Sequence, residues 1–138
     1  MKETSLDRVT SQYLDNADLK IQVSENFNWV KLTFIVFGKV EGNYCKVNFF
    51  CEGIISLNIL KDIDGDGGYD ECFLVLDTVV QNKSINELDE AKRSNCRNTD
   101  TFWSIEIYGS CSMEINCINF SWDIVNLTEE EYSKIMKK

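Results

Sequence analysis

In several segments between residues 19 and 122 apolar side chains recur at every second position. That period narrows the fold more than any other feature, because successive side chains of a strand point to opposite faces of a sheet. Leu19, Ile21 and Val23 alternate with Lys20 and Gln22. Residues 29–37 are rich in β-branched and aromatic types, and residues 38–43 supply turn chemistry for a hairpin into 44–51, where Cys45, Val47, Phe49 and Cys51 share a face. After Glu52 and Gly53 a further strand is expected over 54–60, with Ile55, Leu57 and Ile59 on one side. Residues 72–80 are apolar on both faces, which predicts a central strand covered on each side.

The last hairpin fixes its own register. Trp103, Ile105 and Ile107 must share a face with Met113, Ile115 and Cys117, so cross-strand partners must be odd with odd. A two-residue Gly109-Ser110 loop would set Ile105 against Glu114, so a three-residue connection through Gly109 is expected. Beyond Cys117 the apolar parity passes to Phe120, Trp122 and Ile124, which predicts a bulge or strand break near Ile118 and Asn119. Helices are confined to short stretches. Ser5 can cap a turn carrying Leu6, Val9 and Tyr13, and Ser84 with Glu87 forms a capping box opening a two-turn helix over 86–93. Thr128 with Glu131 opens a C-terminal helix whose packing face is Tyr132, Ile135 and Met136, and whose first-turn Glu129, Glu130 and Glu131 suit the positive end of the helix dipole. The expected fold is α+β, one domain over residues 1–138, with a twisted antiparallel sheet of about six or seven strands, a C-terminal helix and one or two short helices.

Charge and composition exclude several functions. Fourteen Lys and Arg against 23 Asp and Glu leave a formal net charge of −9, which opposes binding to a phosphate backbone, so no nucleic acid partner is expected. The chain has no His, which removes Ser-His-Asp and Cys-His catalysis, His-ligated metals and His-based pH switching. No segment has the roughly 20 apolar residues that span a bilayer, and no Gly-rich phosphate cradle follows a strand. The first twenty residues carry scattered charges and no apolar run, so the expected location is the cytoplasm, where the six cysteines would be buried thiols. No two of them are spaced as in a zinc ribbon or a redox motif.

Residues 62–70 form the one local motif. Asp62, Asp64 and Asp66 place carboxylates at every second position, Gly67 permits a sharp bend, and the Gly68 carbonyl and Asp70 add further oxygens, which is how a short loop surrounds a hard cation such as Ca²⁺. It does not complete an EF-hand, because the twelfth position from Asp62 is Phe73 where a bidentate Glu is needed. It resembles the DxDxDGxxD calcium loop of integrin-type β-propeller repeats, matched by Asp62, Asp64, Asp66, Gly67 and Asp70. This chain has one copy and is too short for a propeller. The alternative is a polar hairpin tip between Leu60 and Cys72.

Glu106 and Glu114 share the polar face of the last hairpin, and solvation of that face explains them better than acid–base catalysis. Trp29, Trp103, Trp122, Tyr44 and Tyr108 could serve as core and rim or as an interface platform. With no catalytic constellation in view, the expectation is a non-enzymatic acidic protein that engages a basic protein partner through Asp62, Asp64, Asp66, Asp70, Glu71, Glu106 and Glu114. The hairpin from Trp103 and the Glu-rich closing helix resemble the small acidic immunity proteins with which bacteria block their own toxins. The alternative is a calcium-assisted binding module, for example for carbohydrate, in which the loop orders Tyr69; an enzyme would need a nucleophile activated without His. The calcium reading predicts that millimolar CaCl₂ raises the thermal midpoint above its value in chelator by several degrees, since about 2.7 kcal/mol accompanies ligand at 100 times Kd. Asp64→Ala should remove the rise, and an unchanged midpoint in the native chain would leave a bare acidic stretch.

Overall fold

The computed structural model describes residues 6–61, 73–93 and 100–136. Among them six strands form one closed antiparallel barrel: β1 (Asp18–Val23), β2 (Trp29–Ile35), β3 (Tyr44–Lys61), β4 (Phe73–Ser84), β5 (Thr101–Gly109) and β6 (Cys111–Leu127), in the spatial order β1-β2-β3-β6-β5-β4. The expected antiparallel sheet is therefore present and closes on itself. Its interior is filled by alternate residues, with Leu32, Phe34, Val47, Phe49, Ile105 and Ile115 at 0% exposure. Phe34 and Phe49 meet edge to face at 4.9 Å, a geometry that adds to the area they bury.

An N-terminal turn, α1 (Leu6–Arg8), runs into a π-type turn over Val9–Tyr13. It adds Val9, Tyr13 and Leu14 to the same core. A closed barrel has no edge, so a segment outside the sheet reaches that core through an open end. Arg8 pairs with Glu41 and ties the turn to the β2–β3 connection.

The odd-with-odd register of the last hairpin is found as expected: Trp103 faces Cys117, Ile105 faces Ile115 and Ile107 faces Met113. Gly109 is required for a further reason, since a Cβ there would run into the Leu74 carbonyl of β4. Both capping boxes form. The Thr128 N–H donates to the Glu131 carboxylate at 3.0 Å and the Glu131 N–H donates to the Thr128 hydroxyl at 3.1 Å; hydrogen bonding of the carboxylate to the Thr128 backbone, then to its side chain, holds the Glu131 carboxyl below the usual range. The helix so opened, α3 (Glu129–Met136), packs through Tyr132, whose ring stacks on Tyr44 at 4.0 Å and whose hydroxyl accepts the Gly38 N–H at 3.0 Å. Met136 faces outward at 42% exposure, so the packing face is narrower than the expected trio.

Further expectations are corrected. Residues 54–60 are not a separate strand: Gly53, at φ +64, bends the chain without ending it, and β3 runs 18 residues through Glu52 and Gly53. β3 and β4 do not form a hairpin, because β3 lies between β2 and β6 while β4 lies between β1 and β5, so the connection between them joins strands that are not neighbours. The change of parity in β6 is real, yet the extra residue sits in β3 opposite it, where the register shifts between Ile54 and Ser56. β4 is not covered on both faces, since Leu74 and Leu76 are 45% and 57% exposed on the outside.

The two-turn helix expected over 86–93 is instead a 3-10 turn (Ile85–Glu87), capped by Ser84, followed by α2 (Glu90–Arg93). One defect remains in the barrel interior. Thr78, 5% exposed and paired with Ile107, has a buried hydroxyl with no hydrogen-bond partner. Leaving such a group unsatisfied costs about 1–3 kcal/mol, so the near-isosteric Thr78→Val should raise the thermal midpoint by a few degrees. A lower midpoint in calorimetry would show that the hydroxyl is satisfied in solution.

Candidate functional site

The outer face of β4, β5, β6 and β3 is a grid that the register defines. Asp77 lies beside Tyr108. Along the next row Val79 pairs with Glu106, Glu106 with Glu114, and Glu114 with Asn58. Along the next, Gln81 pairs with Ser104, Ser104 with Asn116, and Asn116 with Ser56. Glu106 and Glu114 thus stand directly opposite each other. Like charges in that position destabilise a sheet.

Neutral donors hold each carboxylate. The Tyr108 hydroxyl donates to Glu106 at 2.8 Å, and Asn116 Nδ2 donates to Glu114 at 3.0 Å while also donating to the Ser56 hydroxyl at 2.8 Å. Among the described residues neither Glu106 nor Glu114 has a cationic partner, and β5 and β6 contain no Lys or Arg. The Glu106 carboxylate accepting its hydroxyl, followed by the negative fields of Glu106, Glu114 and Asp77, holds the Tyr108 phenol above its ordinary 10.0.

Two hollows flank this pair. The larger, about 250 Å³, lies between the outer face of β5 and β6 and the segment bearing the 3-10 turn and α2. Phe102 and Leu88 are its apolar lining, Ser104 and Asn116 its buried polar lining, and Glu106 and Glu114 border it on the row beyond. The smaller, about 130 Å³, is lined by Leu60, Tyr108 and Ser112 together with the same two glutamates. Ser104 and Asn116 are each only 4% exposed, which is not legible from their neighbours in the chain, because polar residues at even positions read as a solvated face. The capping box at Ser84 opens the segment whose Leu88, 7% exposed, lines the same hollow as Ser104 and Asn116.

Asp62, Asp64, Asp66, Gly68, Asp70 and Glu71 lie outside the described residues. Their attachment points do not. Lys61, the last residue of β3, pairs with Cys111. Leu74 N–H donates to the Ser110 hydroxyl at 2.9 Å and Ser110 N–H donates to the Leu74 carbonyl at 3.0 Å. The acidic stretch therefore leaves and rejoins the barrel at the β5–β6 turn, next to the row carrying Tyr108.

The other candidates scatter. Trp103 and Trp122 pack against the core, Tyr44 is stacked under α3, and Trp29, 44% exposed, borders a separate hollow of about 260 Å³ with Phe50, so the five aromatics make no common platform. Cys45, Cys51 and Cys117 are free and buried and Cys111 is buried, while Cys72 and Cys96 lie outside the described residues. Burial raises the Cys45 thiol, and a hydrogen bond with Cys117 together with burial raises that of Cys51, away from the nucleophilic thiolate. Among the described residues no helix is long and apolar enough to cross a membrane.

No protein-family model matches the chain, and no curated protein matches its sequence.

A raised phenol pKa means that folding favours the protonated form. The associated stabilisation is present below the ordinary value and is lost as pH rises through the raised one. In a titration followed by ring ¹³C NMR, Tyr108 should ionise after an unperturbed tyrosine, and Glu106→Gln should bring it back toward the ordinary value. Identical titrations of the two proteins would show that the hydrogen bond is absent in solution.

Proposed function

We propose that this chain is a non-enzymatic binding protein whose acidic outer face engages a basic protein partner, with toxin neutralisation of the immunity-protein kind as its activity. The observation that carries this reading is the Glu106–Glu114 pair. Two carboxylates face each other across adjacent strands, are held by neutral donors, and make no ion pair among the described residues. No salt bridge among the described residues neutralises the pair, and a positively charged partner would. Asp77 and Tyr108 extend the face on one side, and the stretch holding Asp62, Asp64, Asp66, Asp70 and Glu71 is attached at its rim. The exposed Leu60 and Leu76, 65% and 57% accessible, offer apolar contacts beside the charges. Opposite fields of this kind chiefly raise the association rate and exclude wrong partners.

The spacing of Asp62, Asp64, Asp66 and Asp70 supports a second reading, a calcium-assisted binding module, in which Ca²⁺ supplies the positive charge to that stretch. The comparison in CaCl₂ and chelator separates the two.

Fluorescein-labelled decalysine measured by anisotropy tests the main reading. Binding should weaken steeply with added salt, and the triple variant Asp77→Asn, Glu106→Gln, Glu114→Gln should weaken it by about tenfold or more, as losing charge-assisted contacts requires. Glu129→Gln with Glu130→Gln, on the distant helix α3, should change it little. Equal binding by the native chain and the triple variant would remove this face as the interface.

A further inference from the structure

We infer that the hollow beside Glu106 and Glu114 is a socket for one guanidinium-bearing side chain, the arginine with which the basic partner anchors itself. This rests on the reading of the outer face as an interface and names what enters it. At about 250 Å³ the hollow is below the roughly 300–1,000 Å³ of sites for drug-sized ligands, and suits a single long side chain.

Its lining is graded. Phe102, 2% exposed, and Leu88, 7% exposed, close one end of the hollow, and the surface it offers is mostly polar. One row further along β5 comes Ser104 beside Asn116, and one row beyond that Glu106 beside Glu114. Lys83, paired with Phe102 at the opposite end, repels a cation toward the glutamates. The charged lining is Glu87, Asp89, Glu106 and Glu114 against Lys83 and Lys92, a balance of 2 − 4 = −2 that selects a cationic occupant.

Ser104 is the independent sign of a ligand. It is 96% buried, since its exposure is 4%, it lines the hollow, and its hydroxyl makes no hydrogen bond among the described residues. Asn116, by contrast, is fully engaged through its amide nitrogen. The residue is buried but its hydroxyl opens onto the hollow, where it is an acceptor available to an entering donor. Two carboxylates with one oxygen each committed to a neutral donor, plus that hydroxyl, present several acceptors from adjacent strands. Arg offers five N–H donors in a fixed planar fork, whereas Lys offers a compact point charge, so the arrangement favours Arg.

The test follows backbone amide shifts of the ¹⁵N-labelled full chain during titration with N-acetyl-arginine amide, N-acetyl-lysine amide and the uncharged near-isostere N-acetyl-citrulline amide. The arginine compound should give saturable shifts at Leu88, Ser104, Glu106, Glu114 and Asn116, with the lysine compound about tenfold weaker and the citrulline compound giving none. Ser104→Ala should weaken arginine binding severalfold, and Glu106→Gln with Glu114→Gln should abolish it. Equal shifts from citrulline, or arginine shifts that map elsewhere, would overturn the socket in the native chain whatever the variants do. A free cation as the natural occupant is the outcome if agmatine binds at least as tightly as the peptide Gly-Gly-Arg-Gly-Gly, and that too overturns the proposal. Should decalysine bind in the salt-dependent manner above while the arginine compound leaves these amides unmoved, the socket fails and the acidic interface stands. Should neither bind, the interface itself fails.

Discussion

Two backbone pairs close this molecule. Asp18 meets Leu74 and Leu19 meets Phe73, joining β1 to β4, and the seam is extended by Asn16 N–H donating to the Val75 carbonyl at 2.7 Å and Val75 N–H donating to that of Ala17 at 2.9 Å. Without them β1 and β4 would be open edges, each offering unpaired N–H and C=O groups to any other strand. Leu74 is the hinge of the arrangement, because it bonds with Ser110 at the β5–β6 turn as well as pairing with β1. The seam is also costly: the Asp18 Oδ1 atom is buried there with no hydrogen-bond partner among the described residues. A short closure, once made, lets the interior pack as a single core from Val9 to Cys117.

The outer face obeys a different logic from the interior. Inside, period-two alternation delivers only apolar groups to the axis, with Thr78 as the exception. Outside, the same alternation lines up Asp77, Glu106 and Glu114 beside Tyr108, and the sheet meets their repulsion with hydrogen bonds from a phenol and an amide. Those donors orient the carboxylates without neutralising them. The face is therefore rigid and still negative, which is the preorganisation that reduces the cost of binding a cation.

Much of this was legible in the residues, and the reason is local physics. The odd-with-odd register of β5 and β6 follows from where Ile105 and Ile115 must point, and it sets Glu106 against Glu114 as a direct consequence. The two capping boxes are readable because donor and acceptor lie three residues apart. What escaped depends on pairings distant in sequence. Gly53 looks like a strand end because glycine ends strands in many chains, but here its left-handed conformation lets β3 bend and continue toward a partner supplied by β6. The apolar run in β4 suggests a strand buried on both faces, yet no element covers Leu74 and Leu76. Ser104 and Asn116 look solvent-facing because nothing near them in the chain announces that Leu88 lines the same hollow. The acidic stretch of residues 62–71 lies outside the described residues, so only its attachment at the β5–β6 turn bears on its role.

The length of β3 has a consequence for how the chain is made. It spans 18 residues, about 60 Å of extended backbone, and its main partner is β6, with Tyr44 paired to Leu127 across 127 − 44 = 83 positions. On a ribosome β3 emerges long before β6, and β2, which covers only its first part from Lys46 to Glu52, is all the pairing it has in the interval. Its remaining backbone, including Leu57, Ile59 and Leu60, waits unpaired until the last strand appears. Nascent chains that meet one another in that window share the same exposed template, the hazard carried by strand pairs that form late and across long sequence separations.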